Sequence, residues 1–199
     1  MNRICGLVLL HWVVGCQPAK ESAPTDWEAT MRGIATTYRS YGRVDDWNRW
    51  APELCILAPG QGRHSEAGKS TPHGGKLFYL YAKHRKAYLD RAKSPVGQVV
   101  VKEAWTPVEA ADGERTILGD KDLPYAKKNG KRFKPGELMG LFVMMKADDG
   151  SDPKTDEGWV YATMDPSGKT VKQPGKIAAC INCHERNKDR LFFVDLEGR

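Results

Sequence analysis

Two cysteines three positions apart, with a histidine directly after them, constrain this 199-residue chain more than any other feature. Cys180, Cys183 and His184 lie close to the C-terminus in the stretch AACINCHERN, residues 178–187. The chain contains only five cysteines, so a pair at this spacing requires a chemical reason. The pattern is typical of a disulfide redox motif, of a zinc site or of a site of covalent haem attachment.

Two of these three interpretations fit the surrounding sequence poorly. A thioredoxin-like redox pair is expected where a strand leads into a helix that begins at the first cysteine, among alternating strands and helices. Here the pair follows several predicted strands, and a redox function leaves His184 without a role. A zinc site needs one or two further ligands nearby, and none has suitable spacing.

The third interpretation is covalent attachment of one haem c, which brings its own iron. One helical turn places the two thiols where each can add to a vinyl group of the haem, and the next residue then points its imidazole at the iron. The sequence therefore predicts Cys180 and Cys183 as attachment residues and His184 as the proximal ligand.

A sixth ligand from the protein would make the haem a simple electron carrier. His64, His73 and His84 are candidates, but all three lie in or beside polar segments, which favours a position on the surface. Met144 and Met145 occur in an apolar strand and are expected to fill the core. We therefore expect an open sixth position.

The first 16 residues are expected to lie outside the fold as a signal peptide. Their apolar run, residues 4–14, follows a basic start and is too short to span a bilayer. The run ends in VVGC, similar to a bacterial lipobox, which predicts lipidation of Cys16; a plain secretory signal that leaves Cys16 as an ordinary thiol is the alternative. Residues 17–25 would be a tether and residues 26–199 the haem domain of an exported, periplasmic protein held at a membrane only through its lipid.

The charge of the chain indicates no nucleic-acid partner. Its formal net charge of +6 is modest for this length, and it contains neither a basic amphipathic helix nor a nucleic-acid-binding motif. We interpret the lysines as a solvated surface.

The pattern of apolar residues predicts an α+β fold, with a mainly antiparallel sheet, flanking helices and the haem motif at its C-terminal end. A helix is expected within residues 25–44, capped by Thr25 or Asp26, and a short one within 83–92. Strands are expected at 76–82, 97–105, 137–147 and 158–165, with a glycine- and lysine-rich interruption at 112–135. The strand at 137–147 is apolar on both faces, which predicts a central position.

The stretches GGKLFYLYAK, PVGQVVVKEAW and CINCHE, in this order, resemble the cytochrome P460 family, which includes the cytochromes c′-beta. The resemblance extends over about residues 47–193. It implies a mainly antiparallel sheet, a homodimer, and a five-coordinate haem whose open side handles small nitrogen compounds such as hydroxylamine or nitric oxide.

The resemblance also draws attention to Lys102, in the stretch VVVKEAW. In cytochromes P460 a lysine of the matching strand is bonded through its amine to a meso carbon of the haem. The bond needs a neutral amine, and burial among the neighbouring valines would lower the pKa of Lys102 in that direction. The alternative is a solvent-facing lysine, because strand alternation places Lys102 on one face with Val100 and Ala104.

A second position matched to the family is Phe142, in MGLFVMMK. Family members that oxidise hydroxylamine have a carboxylate there as a proton acceptor, whereas a phenylalanine resembles the apolar cap of a cytochrome c′-beta. Glu103 or Glu137 could substitute for that carboxylate. The same match places Lys76 where the family enzymes carry a basic residue.

Two interpretations of function therefore remain open. One is a hydroxylamine oxidoreductase with a haem linked to Lys102, which passes electrons to a periplasmic acceptor. The other is a protein of the cytochrome c′-beta kind that binds nitric oxide without catalysis. A periplasmic electron-transfer cytochrome is a third alternative, which would need the sixth ligand.

Overall fold

The computed structural model describes residues 26–44, 63–65, 73–118, 121–123 and 125–193, and the side chains of all of these except 116–118 and 121–123. The predicted signal peptide, the lipidation site Cys16 and the tether lie outside the described residues. Within the described ranges, no helix is long and apolar enough to cross a bilayer.

Short helices flank the sheet at the two ends of the described chain. They are α1 (Trp27–Thr37), α2 (Arg85–Leu89) and α3 (Ala178–His184), with single 3-10 turns at Tyr38–Ser40 and Lys188–Arg190. The carboxylate of Asp26 accepts a hydrogen bond from the backbone N–H of Ala29 at 2.9 Å, which confirms the predicted cap of α1.

The strands form one large antiparallel sheet and one separate pair. In chain order they are β1 (Arg63–His64), β2 (Leu77–Ala82), β3 (Val99–Glu109), β4 (Thr116–Leu118), β5 (Lys121–Leu123), β6 (Ala126–Lys128), β7 (Lys131–Lys146), β8 (Trp159–Met164) and β9 (Val171–Gly175). The order across the large sheet is β1-β2-β3-β7-β8-β9, with β6 paired to β7, while β4 pairs with β5. The α+β prediction is confirmed, and β7 has the predicted central position between β3 and β8.

Side-chain alternation gives the large sheet two different buried faces. The first face packs against α1, where Met31 and Ile34 join a cluster that includes Val101 and Val143. The opposite face carries Val100, Met144, Trp159 and Tyr161 and packs against α3 and the segment after it. We call this second side the α3 face. Met144 thus fills the core, as predicted.

Five of the described strands were not predicted from the sequence, namely β1, β4, β5, β6 and β9. The segment expected to interrupt the sheet contains the hairpin of β6 and the first part of β7, joined by Asn129 and Gly130 with φ of 51° and 74°. An Asn-Gly pair with both φ values positive is a strong hairpin signal, which the high lysine content obscured. The sequence also gave no prediction of β9, because this strand at the sheet edge has no alternation of apolar residues.

Candidate functional site

The two cysteines of the motif lie one turn apart on α3, which packs over the α3 face of the sheet. Both thiols are free; Cys180 is partly buried and Cys183 is exposed. Burial, followed by the neighbouring Cys183, raises the pKa of the Cys180 thiol to about 11. A redox pair needs a thiol with a lowered pKa, so the environment of Cys180 argues against thioredoxin-like chemistry.

His184 ends α3 with its ring oriented by the segment that follows. Its Nδ1 lies 2.6 Å from the backbone carbonyl oxygen of Arg190, and the ring lies between Tyr161 and Phe192, whose centroids are 5.6 and 4.8 Å away. Because a carbonyl only accepts hydrogen bonds, Nδ1 carries the proton and the lone pair is on Nε2. Burial lowers the pKa of His184, which favours this neutral form. The arrangement is that of a metal-ligating histidine fixed by an outer hydrogen bond.

A buried ion pair holds the segment that orients His184. The Arg190 guanidinium lies 3.1 Å from Asp156, and the Tyr161 hydroxyl donates to the same carboxylate at 2.7 Å. Asp189 and Arg190 have positive φ values of 51° and 58°, an unfavourable conformation for residues with side chains. The ion pair therefore stabilises a turn that would not form readily by itself.

Lys102 projects from β3 on the same α3 face. It pairs across the sheet with Phe142 in β7, and its Nζ lies 4.4 Å from the ring centroid of Phe78. Among the described residues, no carboxylate forms a salt bridge with this amine and no acceptor forms a hydrogen bond with it. Burial, followed by the positive charge of Lys76, lowers the pKa of Lys102 to about 8. The amine is therefore readily neutral.

Phe142 lies next to Lys102, and the side chains of His73 and Lys76 pack against its ring. The His73 ring centroid is 4.5 Å from that of Phe142, and the Lys76 Nζ is 5.5 Å from it. Lys102 and His184 both help to lower the pKa of His73. The structure thus brings together the predicted residues Lys76, Lys102 and Phe142.

His73 corrects the expectation that the histidines lie on the surface. His84 is exposed at the start of α2, and His64 lies 3.3 Å from the Nζ of Lys128, away from the haem motif. His73 instead packs in the site, and its Nδ1 is buried without a hydrogen-bond partner in the described part of the chain. The two glycines that follow His73 allow the chain to turn into β2. They are the local feature of the sequence that bears on where the His73 side chain lies.

Glu103 is wrong as a substitute proton acceptor, because alternation along β3 places it on the face opposite to Lys102. Its side chain is fully buried beneath α1. There its carboxylate accepts hydrogen bonds from the Tyr38 hydroxyl, from Arg39 Nε at 3.0 Å and from Trp105 Nε1 at 3.2 Å. Glu137, the other candidate, is exposed on β7.

The residues of the site fit a haem. Two free thiols, a histidine with an available Nε2 and the unpartnered Nδ1 of His73 belong to one face of the sheet and the helix that covers it. Within the described ranges, no group of three or more His, Cys, Asp or Glu side chains is placed to hold a metal ion by itself. Haem iron needs no such group, because the porphyrin supplies four of its ligands.

Comparison with known proteins gives an independent assignment. A family model described as Cytochrome P460 matches residues 62–193, most of the chain and all of the site residues discussed above. A search of curated proteins finds no match. The family consists of c-type cytochromes, so the cofactor is haem with its iron. The chain belongs to the cytochrome P460 family.

Proposed function

We propose that this protein carries one haem c, attached through Cys180 and Cys183 with His184 as the proximal ligand and joined at its edge to Lys102. With this haem it oxidises hydroxylamine and passes the electrons to a periplasmic acceptor. The environment of Lys102 is the observation that carries the proposal, because a partly buried amine with no acidic partner among the described residues is unusual unless it has a chemical role.

The bond to Lys102 has a definite chemical requirement. Joining Nζ to a meso carbon removes one hydrogen from each, which is a two-electron oxidation. A peroxide can serve as the oxidant, and each peroxide is then reduced to two water molecules. The amine must be neutral to act as a nucleophile, and a pKa of about 8 leaves an appreciable neutral fraction near neutral pH.

Attachment at the cysteines needs no oxidant. Each thiol adds across a vinyl double bond, with sulfur bonded to one carbon and hydrogen transferred to the other. Cys183 is exposed at the surface of α3 and Cys180 faces the protein, so the two thiols can reach one porphyrin edge from the same turn. His184 then follows with Nε2 available for the iron.

The bound haem supplies an iron that accepts electrons and offers an open position for a small nitrogen compound. The protein supplies the surroundings of that position. Phe78 and Phe142 are apolar side chains of the site, while Lys76 provides positive charge that favours electron-rich ligands.

Binding of nitric oxide without catalysis is the second candidate. It is favoured by Phe142, which lies beside Lys102 at the position where oxidising relatives are expected to have a carboxylate. A phenyl ring cannot accept a proton. The two candidate functions therefore differ in whether another residue of the site accepts the proton that hydroxylamine loses on oxidation.

The same proposal includes export, attachment to a membrane through a lipid on Cys16, and a homodimer. Val108 on β3 and Met139 on β7 are large apolar side chains exposed on the elongated end of the sheet, and they would be suitable for contact with a second copy.

An optical spectrum of the purified ferrous protein, compared with that of Lys102→Arg, tests the proposal. We expect a strongly red-shifted Soret band in the native protein and an ordinary c-type band in the variant, because arginine stays protonated. Steady-state oxidation of hydroxylamine with an artificial acceptor is measured on the same samples. An ordinary band in the native protein would contradict the bond to Lys102, and absence of turnover would leave binding of nitric oxide.

A further inference from the structure

His73, packed beside Phe142, has a buried hydrogen-bonding atom that is unsatisfied among the described residues. Its Nδ1 has no partner among the described residues, although buried polar atoms are nearly always hydrogen-bonded. This atom is therefore available to hydrogen-bond a ligand. The sequence suggested His73 only as a candidate sixth ligand of the iron, and neither the sequence nor the resemblance to the family assigns it a role as a proton acceptor.

The position of His73 relates it to the open side of the haem. His73 precedes β2, and its ring packs at 4.5 Å on Phe142, the residue at the position of the family carboxylate. His184 belongs to α3, at the other end of the described chain, and contributes to the lowered pKa of His73. The imidazole thus stands against the position that the missing carboxylate would occupy.

The surroundings of His73 keep its ring neutral. Burial is the largest cause, followed by the neighbouring Lys102, His184 and Lys76 side chains; together they lower the pKa of His73 to about 3. A neutral imidazole has one nitrogen that can accept a proton or a hydrogen bond and one that can donate. A bond between Lys102 and the haem would remove one of these positive charges, which raises the pKa of His73 and makes its ring a better proton acceptor.

We infer that the His73 imidazole replaces the missing carboxylate: it hydrogen-bonds to a small molecule bound at the haem and accepts the proton released when hydroxylamine is oxidised. This inference rests on the proposed function. In the two-electron oxidation NH2OH → HNO + 2 H⁺ + 2 e⁻, each proton leaves an O–H or N–H group of hydroxylamine for His73 and passes from His73 to water, while the two electrons go to the periplasmic acceptor. Phe142 then supports the His73 ring and is not itself the cap that prevents catalysis.

The experiment compares three variants of the haem-loaded protein. His73→Leu removes both hydrogen bonding and proton acceptance, and His73→Gln retains hydrogen bonding but cannot accept a proton. His84→Leu is the matched control, because the His84 side chain is exposed. Each protein is measured for oxidation of hydroxylamine, for the spin state of the ferric iron, and for the N–O stretching frequency of added nitric oxide.

We expect kcat to fall on the order of a hundredfold or more in His73→Leu and His73→Gln, the usual contribution of a positioned proton acceptor. The N–O stretching frequency should change in His73→Leu and remain close to native in His73→Gln. His84→Leu should match the native protein in every measurement. If His73→Leu does not retain haem, His73→Gln alone supplies the test: its kcat should fall while its N–O stretching frequency stays close to native.

Three outcomes would overturn the inference. Turnover and an N–O frequency in His73→Leu equal to those of the native protein would show that His73 does not contact the ligand, while leaving the proposed function intact. A low-spin native protein that becomes high-spin in His73→Leu would make His73 the sixth iron ligand. Native protein that neither oxidises hydroxylamine nor binds nitric oxide would overturn the inference and the proposed function together.

Discussion

The backbone carbonyl oxygen of Arg190 accepts a hydrogen bond from Nδ1 of His184 at 2.6 Å. The side chain of the same arginine forms a buried salt bridge with Asp156 at 3.1 Å. Arg190 therefore orients His184, the proposed iron ligand, through its backbone carbonyl. The salt bridge of its side chain with Asp156 holds Arg190 in place. Because outer hydrogen bonds affect the basicity of a metal-bound histidine, we expect this ion pair to influence the haem as well as the fold.

Asp156→Asn tests that relationship, since asparagine retains the shape and a hydrogen-bond acceptor for Tyr161 but removes the charge that Arg190 needs. We expect the free energy of unfolding to fall by about 3 kcal/mol, because one charge of a buried pair loses its partner. The iron–histidine stretching frequency of the ferrous protein should shift as well. Glu157→Gln is the control, because Glu157 pairs with the same arginine from the exposed surface, and its loss should cost less than about 1 kcal/mol. Equal effects of the two variants would contradict a role for the buried pair.

The predicted attachment residues allow a direct chemical test. Replacing Cys180 and Cys183 together by alanine should yield a protein whose haem is extracted by acidified organic solvent, as long as Lys102 is also replaced by arginine to remove the second proposed link. The protein with Lys102→Arg alone should retain its haem under the same treatment, because the thioether bonds remain. Haem that stays with the triple variant would show that these cysteines are not the attachment residues.

Lys102 should make the stability of the haem-free protein depend on pH. Its pKa is lowered from 10.5 to about 8, so below pH 8 the folded protein bears the full cost of a buried charge. As pH rises above 8, the folded lysine becomes neutral while the unfolded one stays charged. Unfolding then takes up a proton, and stability increases with pH.

The measurement is denaturant unfolding of haem-free Cys180→Ala/Cys183→Ala protein, with and without Lys102→Met, at two pH values. The alanines remove the thiol of Cys180, whose raised pKa would otherwise oppose the effect above pH 9. Lys102→Met should be the more stable protein at about pH 7, and its advantage should shrink by about 1 kcal/mol by about pH 9.5, allowing for partial solvent screening. A constant difference would mean that Lys102 keeps an ordinary pKa.

Glu103 should matter for folding and not for the haem. Glu103→Gln leaves the donors Tyr38 and Arg39 facing a neutral acceptor beneath α1, so we expect a loss of about 2 kcal/mol in the free energy of unfolding. Turnover and the haem spectrum should be unchanged, because the side chain lies on the other face of the sheet. Glu109→Gln, an exposed site on the same strand, is the control for stability. A large loss of turnover in a well-folded Glu103→Gln would contradict the assignment of faces.

Those parts of the fold that depend on local patterns could be predicted from the sequence. Strand alternation has a period of two, so it placed Lys102 and Glu103 on opposite faces once β3 was recognised, and Asp26 was recognisable as a helix cap. The strands that could not be predicted in this way were β1, β4, β5, β6 and β9, which are too short or too polar to show an alternation of apolar residues. The pairing of β9 depends on its neighbour in the sheet, β8.

The composition of the site was only partly predictable, for a related reason. Lys102 and Phe142 were identified by resemblance, and the register of β3 with β7 makes them neighbours. His73 lies in a polar stretch that looks like a surface loop, and nothing in that stretch indicates that its ring meets Phe142 from a position about 70 residues earlier in the chain. Only the tertiary structure brings the two together.

The last prediction concerns Phe142, the residue at the position of the family carboxylate. Phe142→Glu places a carboxylate within reach of Lys76 and beside His73, both of which contact the present phenyl ring. If the site needs a proton acceptor there, Phe142→Glu should restore oxidation of hydroxylamine in the His73→Leu background by on the order of tenfold or more, since a new carboxylate recovers part of the general-base contribution. Phe142→Gln has nearly the same shape without the charge and should restore nothing. Recovery with glutamine as well as with glutamate would attribute the effect to space opened beside the haem, and no recovery with either would mean that the proton leaves the substrate by another route.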